Sequence, residues 1–273
     1  MKKTKDEAQS NSHSNTQSVI LFDMDGTLTP ARGLIENFVV KKMRELSSYS
    51  RLGIVSGSDF EYIMHQCEAL FDVGGVPVDK IDILPCNGTK FYEWNNSKYQ
   101  LKHSVDMIEE IGITTYRKIL EKLFEYQCQI PKFYPDAPLT GTFFEYRKSL
   151  LNWCPIGRAA NQEQRDAWEK YDNDYSIRDS YVDELRKFID TQAIPVTIAL
   201  GGTTSFDIYP IGWNKTFALQ YYPDHEAYFI GDRCEEGGND YHIYEELKKH
   251  GRSWSTTDPS NTVLIIDEIV SKL

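Results

Sequence analysis

The chain has few cysteines, and none of them are closely spaced. Its five cysteines are scattered, and no two stand in a Cys-x-x-Cys arrangement. This spacing excludes the usual zinc-binding patterns and disfavours a disulfide framework, which needs an even set of partners. We therefore expect free thiols and a cytoplasmic location.

Long apolar segments and an excess of basic charge are also missing. No apolar run approaches the roughly 18 residues of a membrane-spanning helix. Residues 1–17 are polar almost throughout and lack the apolar core of a signal peptide, so we expect a disordered tail and no membrane partner. The formal net charge of −11 disfavours a nucleic-acid partner. An anionic substrate would need a local cluster of cationic side chains.

Short apolar strands alternate with helical patterns at both ends of the chain. Residues 19–22 near the start and 227–230 near the end are two such strands, and each leads into polar residues and a helical stretch. Strands that alternate with helices predict a parallel sheet covered on both faces. The expected core is an α/β unit formed by residues 18–97 and 212–273.

The middle of the chain, residues 98–211, has a different pattern. Residues 104–127 predict a long helix, whereas residues 196–200 and 205–209 predict a hairpin. This mixture indicates an α+β cap domain inserted between the two halves of the core.

Two acidic residues follow the first predicted strand, in the segment VILFDMDGTLTP. Asp23 lies one step past the strand, Asp25 lies two residues further, and Gly26 permits a tight turn. Ligands of parallel α/β sheets bind at the carboxyl ends of the strands. Because two close carboxylates repel each other, we expect a divalent cation beside them. The alternative interpretations of this segment are a fragment of a calcium-binding loop or an ordinary turn.

Four short motifs, in this order, resemble those of the haloacid dehalogenase superfamily of phosphoryl-transfer enzymes. They are DMDGT, the serine of IVSGSD, the lysine of GWNK, and GD followed by GGND. The resemblance implies that Asp23 is the nucleophile and Asp25 the general acid and base. Ser56 and Lys215 would hold the phosphoryl oxygens. Asp232 would bind Mg²⁺ together with the Asp23 carboxylate and the Asp25 backbone carbonyl.

Longer segments resemble the eukaryotic-type phosphomannomutases. The matching stretches are GTFFEYRKSLLNWCPIGRAANQEQR, GGTTSFDIYPIGWNK, VSGSDF and the DGTLT run that ends at Arg32. The resemblance implies a Rossmann-like haloacid dehalogenase core, Mg²⁺, a hexose 1,6-bisphosphate activator and a homodimer formed through the cap near Phe143. Carried over to matching positions, the substrate contacts of this family are Arg32, Arg147, Arg158, Arg165, Ser205 and Asp207.

Physical chemistry supports this set of substrate contacts. Arginine binds phosphate in a bidentate manner, so the three cap arginines can clamp a phosphate that lies away from the acidic pair. Ser205 and Asp207 alternate along a strand and can share a face toward sugar hydroxyls. The alternative is that the arginines pair with nearby acids such as Glu145 or Glu163.

Several positions depart from the pattern of the family. Thr140 stands where Arg is usual, and the run KSL at residues 148–150 replaces Asn-Gly-Met. Cys86 replaces a common Glu. None of these departures removes a residue with an assigned chemical role, and together they indicate a distant member.

Three functions fit these features. The first is interconversion of mannose 6-phosphate and mannose 1-phosphate through a phosphorylated Asp23, a step in GDP-mannose biosynthesis. The alternative is a hexose-phosphate phosphatase of the same superfamily, in which water attacks the aspartyl-phosphate. The third is a sugar-phosphate sensor without activity, which would have no use for a nucleophile.

Overall fold

The structure, a computed structural model, describes residues 17–72 and 74–271. The predicted tail lies outside these residues except for Gln17, whose carbonyl accepts a hydrogen bond from the Glu226 N–H at 2.9 Å. None of the helices in these two ranges has both the length and the apolar composition needed to span a lipid bilayer.

The described elements alternate between strands and helices along most of the chain. The strands are β1 (Ser18–Phe22), β2 (Arg51–Val55), β3 (Ile81–Leu84), β4 (Lys90–Asn95), β5 (Lys98–Ser104), β6 (Phe144–Tyr146), β7 (Leu151–Trp153), β8 (Val196–Gly201), β9 (Ser205–Pro210), β10 (Glu226–Gly231) and β11 (Ser253–Ser255). The α-helices are α1 (Asn37–Leu46), α2 (Phe60–Gln66), α3 (Glu68–Phe71), α4 (Met107–Ile111), α5 (Ile113–Phe133), α6 (Gln162–Tyr175), α7 (Ile177–Thr191), α8 (Tyr241–Lys248) and α9 (Pro259–Val270). Two 3₁₀ helices cover Val78–Lys80 and Lys215–Tyr221.

A seven-stranded sheet in the order β11-β10-β1-β2-β3-β4-β5 forms the core. The strands from β11 to β3 are parallel, and β4 and β5 join antiparallel at one edge. Strand β1 lies in the middle and is apolar on both faces. Ile20 packs toward α1 and α9, whereas Leu21 packs toward α8 and the second 3₁₀ helix. Central parallel strands need cover on both sides, which explains the unbroken apolar run.

The hairpin of β4 and β5 was not predicted from the sequence, and it moves the edge of the core. The predicted boundary between residues 97 and 98 falls inside this hairpin, because Asn95 pairs with Lys98 across the turn. Asn96 and Ser97 both have positive φ angles, 49° and 76°, as a tight hairpin turn requires. The core sheet therefore continues to Ser104.

The cap is an α+β unit with its own apolar core. Its antiparallel sheet has the order β6-β7-β9-β8 and packs on α5 and α7. Trp153 and Phe206 stack at 4.6 Å between ring centroids in this core. The predicted helix over residues 104–127 begins later and is divided at Gly112, whose φ of 78° ends α4. Helix α6 was not predicted, because its sequence is mostly polar.

The cysteines differ sharply in their exposure. Cys128 is exposed and the other four are buried. Burial raises the pKa of Cys67 and of Cys234 to about 12. We expect one fast-reacting thiol at about pH 8, since only a thiolate attacks a disulfide reagent. Thiol titration should find all five in denaturant, and Cys128→Ser should remove the fast one. A second fast thiol in that variant would contradict this expectation.

Candidate active site

The chain turns immediately after β1 and leaves Asp23 buried at the carboxyl end of the sheet. The Asp23 N–H donates to the carbonyl of Ile230 in β10 at 2.9 Å. The Met24 carbonyl accepts hydrogen bonds from the N–H groups of Thr27, Leu28 and Thr29, at 2.9 to 3.2 Å. Gly26 has a φ of 83°, and a Cβ there would lie 2.3 Å from Asp232 Oδ2. Glycine is therefore required for both the turn and the approach of Asp232.

Parallel pairing brings the other core residues to the same edge. Phe22 is level with Ile54 in β2 and with Ile230 in β10. Ser56 and Asp232 each lie two residues past those partners, so both stand beside the turn that carries Asp23. The Ser56 Oγ is buried and accepts a hydrogen bond from the Ser58 N–H at 3.1 Å.

Three carboxylates and one lysine form the centre of the site. Asp23, Asp232 and Asp240 each place a side-chain oxygen within 4.8 Å of the others. Lys215 is fully buried, donates to Asp23, and donates to Asp240 Oδ1 at 2.5 Å. The sequence prediction contained Asp23, Asp232 and Lys215 but gave Asp240 no role, although the GGND motif ends on it.

The electrostatics of these groups follow from burial. Burial raises the pKa of Asp23 well above its usual value; Lys215 opposes this, and Asp240 and Asp232 reinforce it. Burial and then Asp240 raise the pKa of Asp232. The Asp232 Oδ1 is also buried and accepts no hydrogen bond within the described ranges. Three acids that share one lysine leave excess negative charge, and Mg²⁺ prefers oxygen ligands, so the site fits this ion.

Asp25 occupies a separate position near the centre. Its side chain is half-buried and contributes no atom to the carboxylate cluster, and its Oδ1 accepts a hydrogen bond from the Arg32 N–H at 2.8 Å. Arg32 itself is exposed and has a φ of 57°. Among the described residues the ion pairs of Lys215 go to Asp23 and Asp240, not to Asp25, whose role in proton transfer stays a prediction.

The cap sheet presents a row of polar side chains on one face. Glu145 in β6 lies opposite Asn152 in β7, which lies opposite Asp207 in β9. The Asn152 Nδ2 donates to Asp207 Oδ1 at 2.7 Å, and Arg158 Nη1 donates to Asn152 Oδ1 at 3.0 Å. Ser205 is buried on the same strand as Asp207, opposite Gly201. Alternation along the strands therefore gathers these groups, as predicted for Ser205 and Asp207.

Two of the three predicted arginines meet at this polar row. Arg147 donates through Nε and Nη2 to Glu145 Oε2 at 2.8 and 2.6 Å, and the Arg158 Nε lies 3.1 Å from the same oxygen. The alternative interpretation, pairing with Glu145, is thus observed for both arginines, and the phosphate clamp stays a prediction. Arg147 Nη1 also donates to the Gly57 carbonyl at 3.2 Å. This bond joins the cap to the core loop that carries Ser56.

Arg165 differs from the other two arginines. Its side chain is buried and donates to the carbonyls of Ala160 and Arg158 at 2.8 and 2.6 Å, and to Thr204 Oγ1 at 2.8 Å. Burial lowers its pKa, and the charges of Arg32 and Arg158 lower it further. Arg165 thus fixes the backbone at Arg158 and adds positive charge to the cleft.

Tyr62 of α2 lies close enough to charged residues of both the core and the cap for them to affect its pKa. It was not predicted as a site residue. Burial and Asp25 raise its pKa, whereas Arg32, Arg158 and Arg165 lower it. Its hydroxyl accepts a hydrogen bond from Gln66 Nε2 at 2.9 Å. No sequence signal marks Tyr62, because its surroundings come from distant parts of the chain. Asn152 was missed as well, although strand alternation with Asp207 as its partner could have indicated it.

A separate cavity of about 560 Å³ lies within the cap, between the end of α5 and α6. Tyr134, Trp168 and Tyr171 are among its lining residues. It contains none of the predicted site residues.

Solved structures share this architecture. IMP-nucleotidase from Plasmodium falciparum, with IMP bound, superimposes with a TM-score of 0.59 at 14% identity and covers 94% of this chain and 69% of that one. Trehalose-6-phosphate phosphatase from Aspergillus fumigatus gives a TM-score of 0.52 at 16% identity, with 94% of each chain covered. The predicted fold class, an α/β core of haloacid dehalogenase type with an inserted cap, is confirmed.

Sequence comparison is more specific. Phosphomannomutase from Saccharomyces cerevisiae is 34% identical over 260 residues, which covers 93% of this chain and 94% of the yeast protein. Phosphomannomutase from Arabidopsis thaliana is 37% identical over 251 residues and covers 90% and 93%. The family model described as eukaryotic phosphomannomutase matches residues 39–272. The match spans both the core and the cap, and the chain belongs to the eukaryotic phosphomannomutase family.

Proposed function

We propose that this chain interconverts mannose 6-phosphate and mannose 1-phosphate through a phosphorylated Asp23. The single observation that carries the proposal is the position of Asp23. It lies at the carboxyl end of the central strand, within the Lys215 and carboxylate cluster. Asp25 stands apart from that cluster, and Arg147 of the cap, which shares Glu145 with Arg158, donates to the Gly57 carbonyl at the same core edge.

The chemistry proceeds in two symmetric transfers. The Asp23 carboxylate attacks a phosphorus of a hexose 1,6-bisphosphate, and the P–O bond to the sugar breaks. Asp25 gives its proton to the departing sugar oxygen. A bound monophosphate then attacks the aspartyl-phosphate through its free hydroxyl, and Asp25 takes that proton back. The new bisphosphate reorients, and Asp23 accepts the other phosphoryl group.

Fixed hydrogen-bond donors hold the phosphoryl oxygens during each transfer. Ser56 and Lys215 lie beside Asp23 and serve this purpose. Asp23, Asp232 and the Asp25 backbone carbonyl would bind Mg²⁺, with Asp240 alongside. When bound, the ion neutralises charge on the transferring group. These roles are mainly positioning and charge stabilisation, which is what phosphoryl transfer requires.

The cap holds the second phosphate and the sugar. Arg147 and Arg158 form the distal clamp, Arg165 fixes Arg158, and Arg32 lies at the rim of the cleft. Ser205 and Asp207 are the groups assigned to the sugar hydroxyls. Contact between Arg147 and the Gly57 carbonyl supports a closed cleft, which would keep water from the aspartyl-phosphate.

A phosphorus NMR time course tests the function. The protein is mixed with Mg²⁺, mannose 1-phosphate and a catalytic amount of glucose 1,6-bisphosphate. We expect a growing mannose 6-phosphate signal and a flat inorganic phosphate signal. Inorganic phosphate as the main product would overturn the mutase in favour of the sugar phosphatase, which uses the same Asp23 and Asp25. No change in either signal would also contradict the proposal.

Assembly and location complete the proposal. We assign a cytoplasmic location on the basis of the free thiols and the role in supplying mannose 1-phosphate for GDP-mannose.

A homodimer through the cap fits the apolar face of α5, where Phe124 is 52% exposed and packs edge-on against Phe144. Light scattering after size exclusion measures the mass directly, and a monomer at micromolar concentration would remove this part of the proposal.

Magnesium should stabilise the folded chain, because it relieves the repulsion among the three acids. A ligand that binds only the native state raises the melting temperature in proportion to the logarithm of its concentration. We expect this rise in the wild type, its loss with a chelator, and a much smaller rise in Asp232→Asn. Asp174→Asn, an exposed acid on α6 of the cap, is the matched control and should keep the full rise. An equal rise in both variants would contradict the assigned ligand.

A further inference from the structure

One carboxylate links two of the cap arginines, Arg147 and Arg158. A single oxygen of Glu145 accepts two hydrogen bonds from Arg147 and lies 3.1 Å from Arg158 Nε. The Glu145 side chain is 34% exposed and that of Arg158 is 36% exposed. The contact is therefore partly exposed to solvent, and a ligand can reach it. Glu145 takes no part in the phosphoryl transfer steps.

The charges of the three groups depend on one another. Burial lowers the pKa of Arg158, the neighbouring Arg147 lowers it further, and Glu145 raises it. Burial opposes the charge of Arg147 too, but Asp207 and Glu145 outweigh it and raise the pKa. Glu145 thus offsets the repulsion between two guanidinium groups. The two arginines and Glu145 together carry one net positive charge instead of two, with the Asp207 carboxylate as a further negative group nearby.

Donors remain available for a phosphate. A guanidinium has five N–H groups. Arg147 donates hydrogen bonds to Glu145 and to the Gly57 carbonyl, whereas Arg158 donates to Asn152 and forms an ion pair with Glu145. The remaining N–H groups of both side chains can bind a phosphate. A phosphate dianion and the Glu145 carboxylate would then compete for the same two cations.

We propose that Glu145 is an internal counter-ion that competes with the distal phosphate for Arg147 and Arg158 and keeps the clamp weak. The inference rests on the proposed function, because a mutase must release one end of the bisphosphate and rebind the other. Two uncompensated arginines would hold any dianion tightly and slow that exchange. Glu145 returns to the arginines as the phosphate leaves, so no bare pair of cations has to form.

Glu145→Gln separates the charge of this residue from its shape. The amide oxygen can still accept the hydrogen bonds of Arg147 and lie beside Arg158, but the negative charge is gone. Inorganic phosphate is titrated into the protein by calorimetry without Mg²⁺. We expect the dissociation constant to fall about tenfold, since a unit charge a few ångströms away is removed from a partly exposed site. Glu163→Gln, an exposed acid of the cap that pairs with neither arginine, should leave binding unchanged.

A double variant assigns any gain to the clamp. Phosphate can also bind near Asp23, so Arg158→Ala is added to Glu145→Gln, and the tighter binding should disappear. Unchanged or weaker phosphate binding in Glu145→Gln would overturn the proposal. In turnover, KM for mannose 1-phosphate and kcat should both fall in Glu145→Gln, because binding tightens and exchange slows. A merely structural role would raise KM.

The titration does not depend on turnover. If the wild type forms no mannose 6-phosphate, the mutase assignment fails, whereas the phosphate titration still reports whether Glu145 weakens the clamp. The two failures are therefore distinguishable.

Discussion

Asp23→Asn should abolish phosphoryl transfer and leave the chain folded. An amide cannot form the acyl-phosphate, and loss of a nucleophile usually lowers turnover by about four orders of magnitude or more. Folding should survive, because the amide oxygen can still accept a hydrogen bond from Lys215. Burial raises the pKa of Asp23, so removal of its charge also removes a desolvation cost. We expect stability equal to or above that of the wild type.

The phosphorus NMR time course with Asp23→Asn measures this loss, and a urea unfolding curve checks the fold. Asp174→Asn is the control for a generic loss of negative charge and should retain full activity. Turnover of Asp23→Asn within tenfold of the wild type would contradict the nucleophile assignment. Rescue of function in cells by an inactive Asp23→Asn would instead favour the sugar-phosphate sensor.

Lys215→Met should have the largest effect on stability. Lys215 is fully buried and is the shared partner of Asp23 and Asp240, with Asp232 close by. Removal of one member of a buried ion pair leaves an uncompensated charge and costs about 3–5 kcal/mol. Activity should fall as well, because a positive group beside the phosphoryl oxygens is lost. Urea unfolding in the presence of a chelator measures the free energy of unfolding.

The controls for Lys215→Met separate charge from volume. Lys249 follows the last residue of α8 and forms an exposed ion pair with Glu246. Lys249→Met should leave the unfolding curve unchanged, since exposed ion pairs contribute little to stability. Adding Asp240→Asn to Lys215→Met should recover part of the lost stability, because it removes one of the buried carboxylates that have lost their lysine partner. A lysine variant as stable as the wild type would contradict the arrangement of this cluster.

The same ion pairs predict a pH dependence of stability. Burial alone would lower the pKa of Lys215, but Asp23 and Asp240 outweigh burial and raise it above the usual value. A lysine with a raised native pKa stabilises the fold fully below the unfolded-state pKa of about 10.4. The stabilisation is then lost as the pH rises through the native value. The difference in unfolding free energy between wild type and Lys215→Met should therefore be largest at neutral pH and shrink in strong alkali.

The sequence by itself determined the turn that carries Asp23 and Asp25 and the order of the elements around it. Asp23, Asp25 and Gly26 are contiguous with an apolar strand, and the carboxyl end of a parallel strand dictates where such residues lie. The cap segments likewise carried Arg147 and Arg158 in matching stretches of the family. These predictions depend on local patterns, which the chain displays without any knowledge of distant contacts.

Only the tertiary structure decided the partners of those residues. Lys215 reaches Asp23 across 192 positions of the chain, and Asp240 joins them because β10 pairs with β1. The Arg165 side chain is buried and donates hydrogen bonds to acceptors within the cap. Its neighbours in the sequence are mostly polar, as they would be around a surface arginine. Charge compensation and burial depend on which elements pack together. Local sequence patterns do not predict which distant strands pair. The sharing of Glu145 by Arg147 and Arg158 has the same origin.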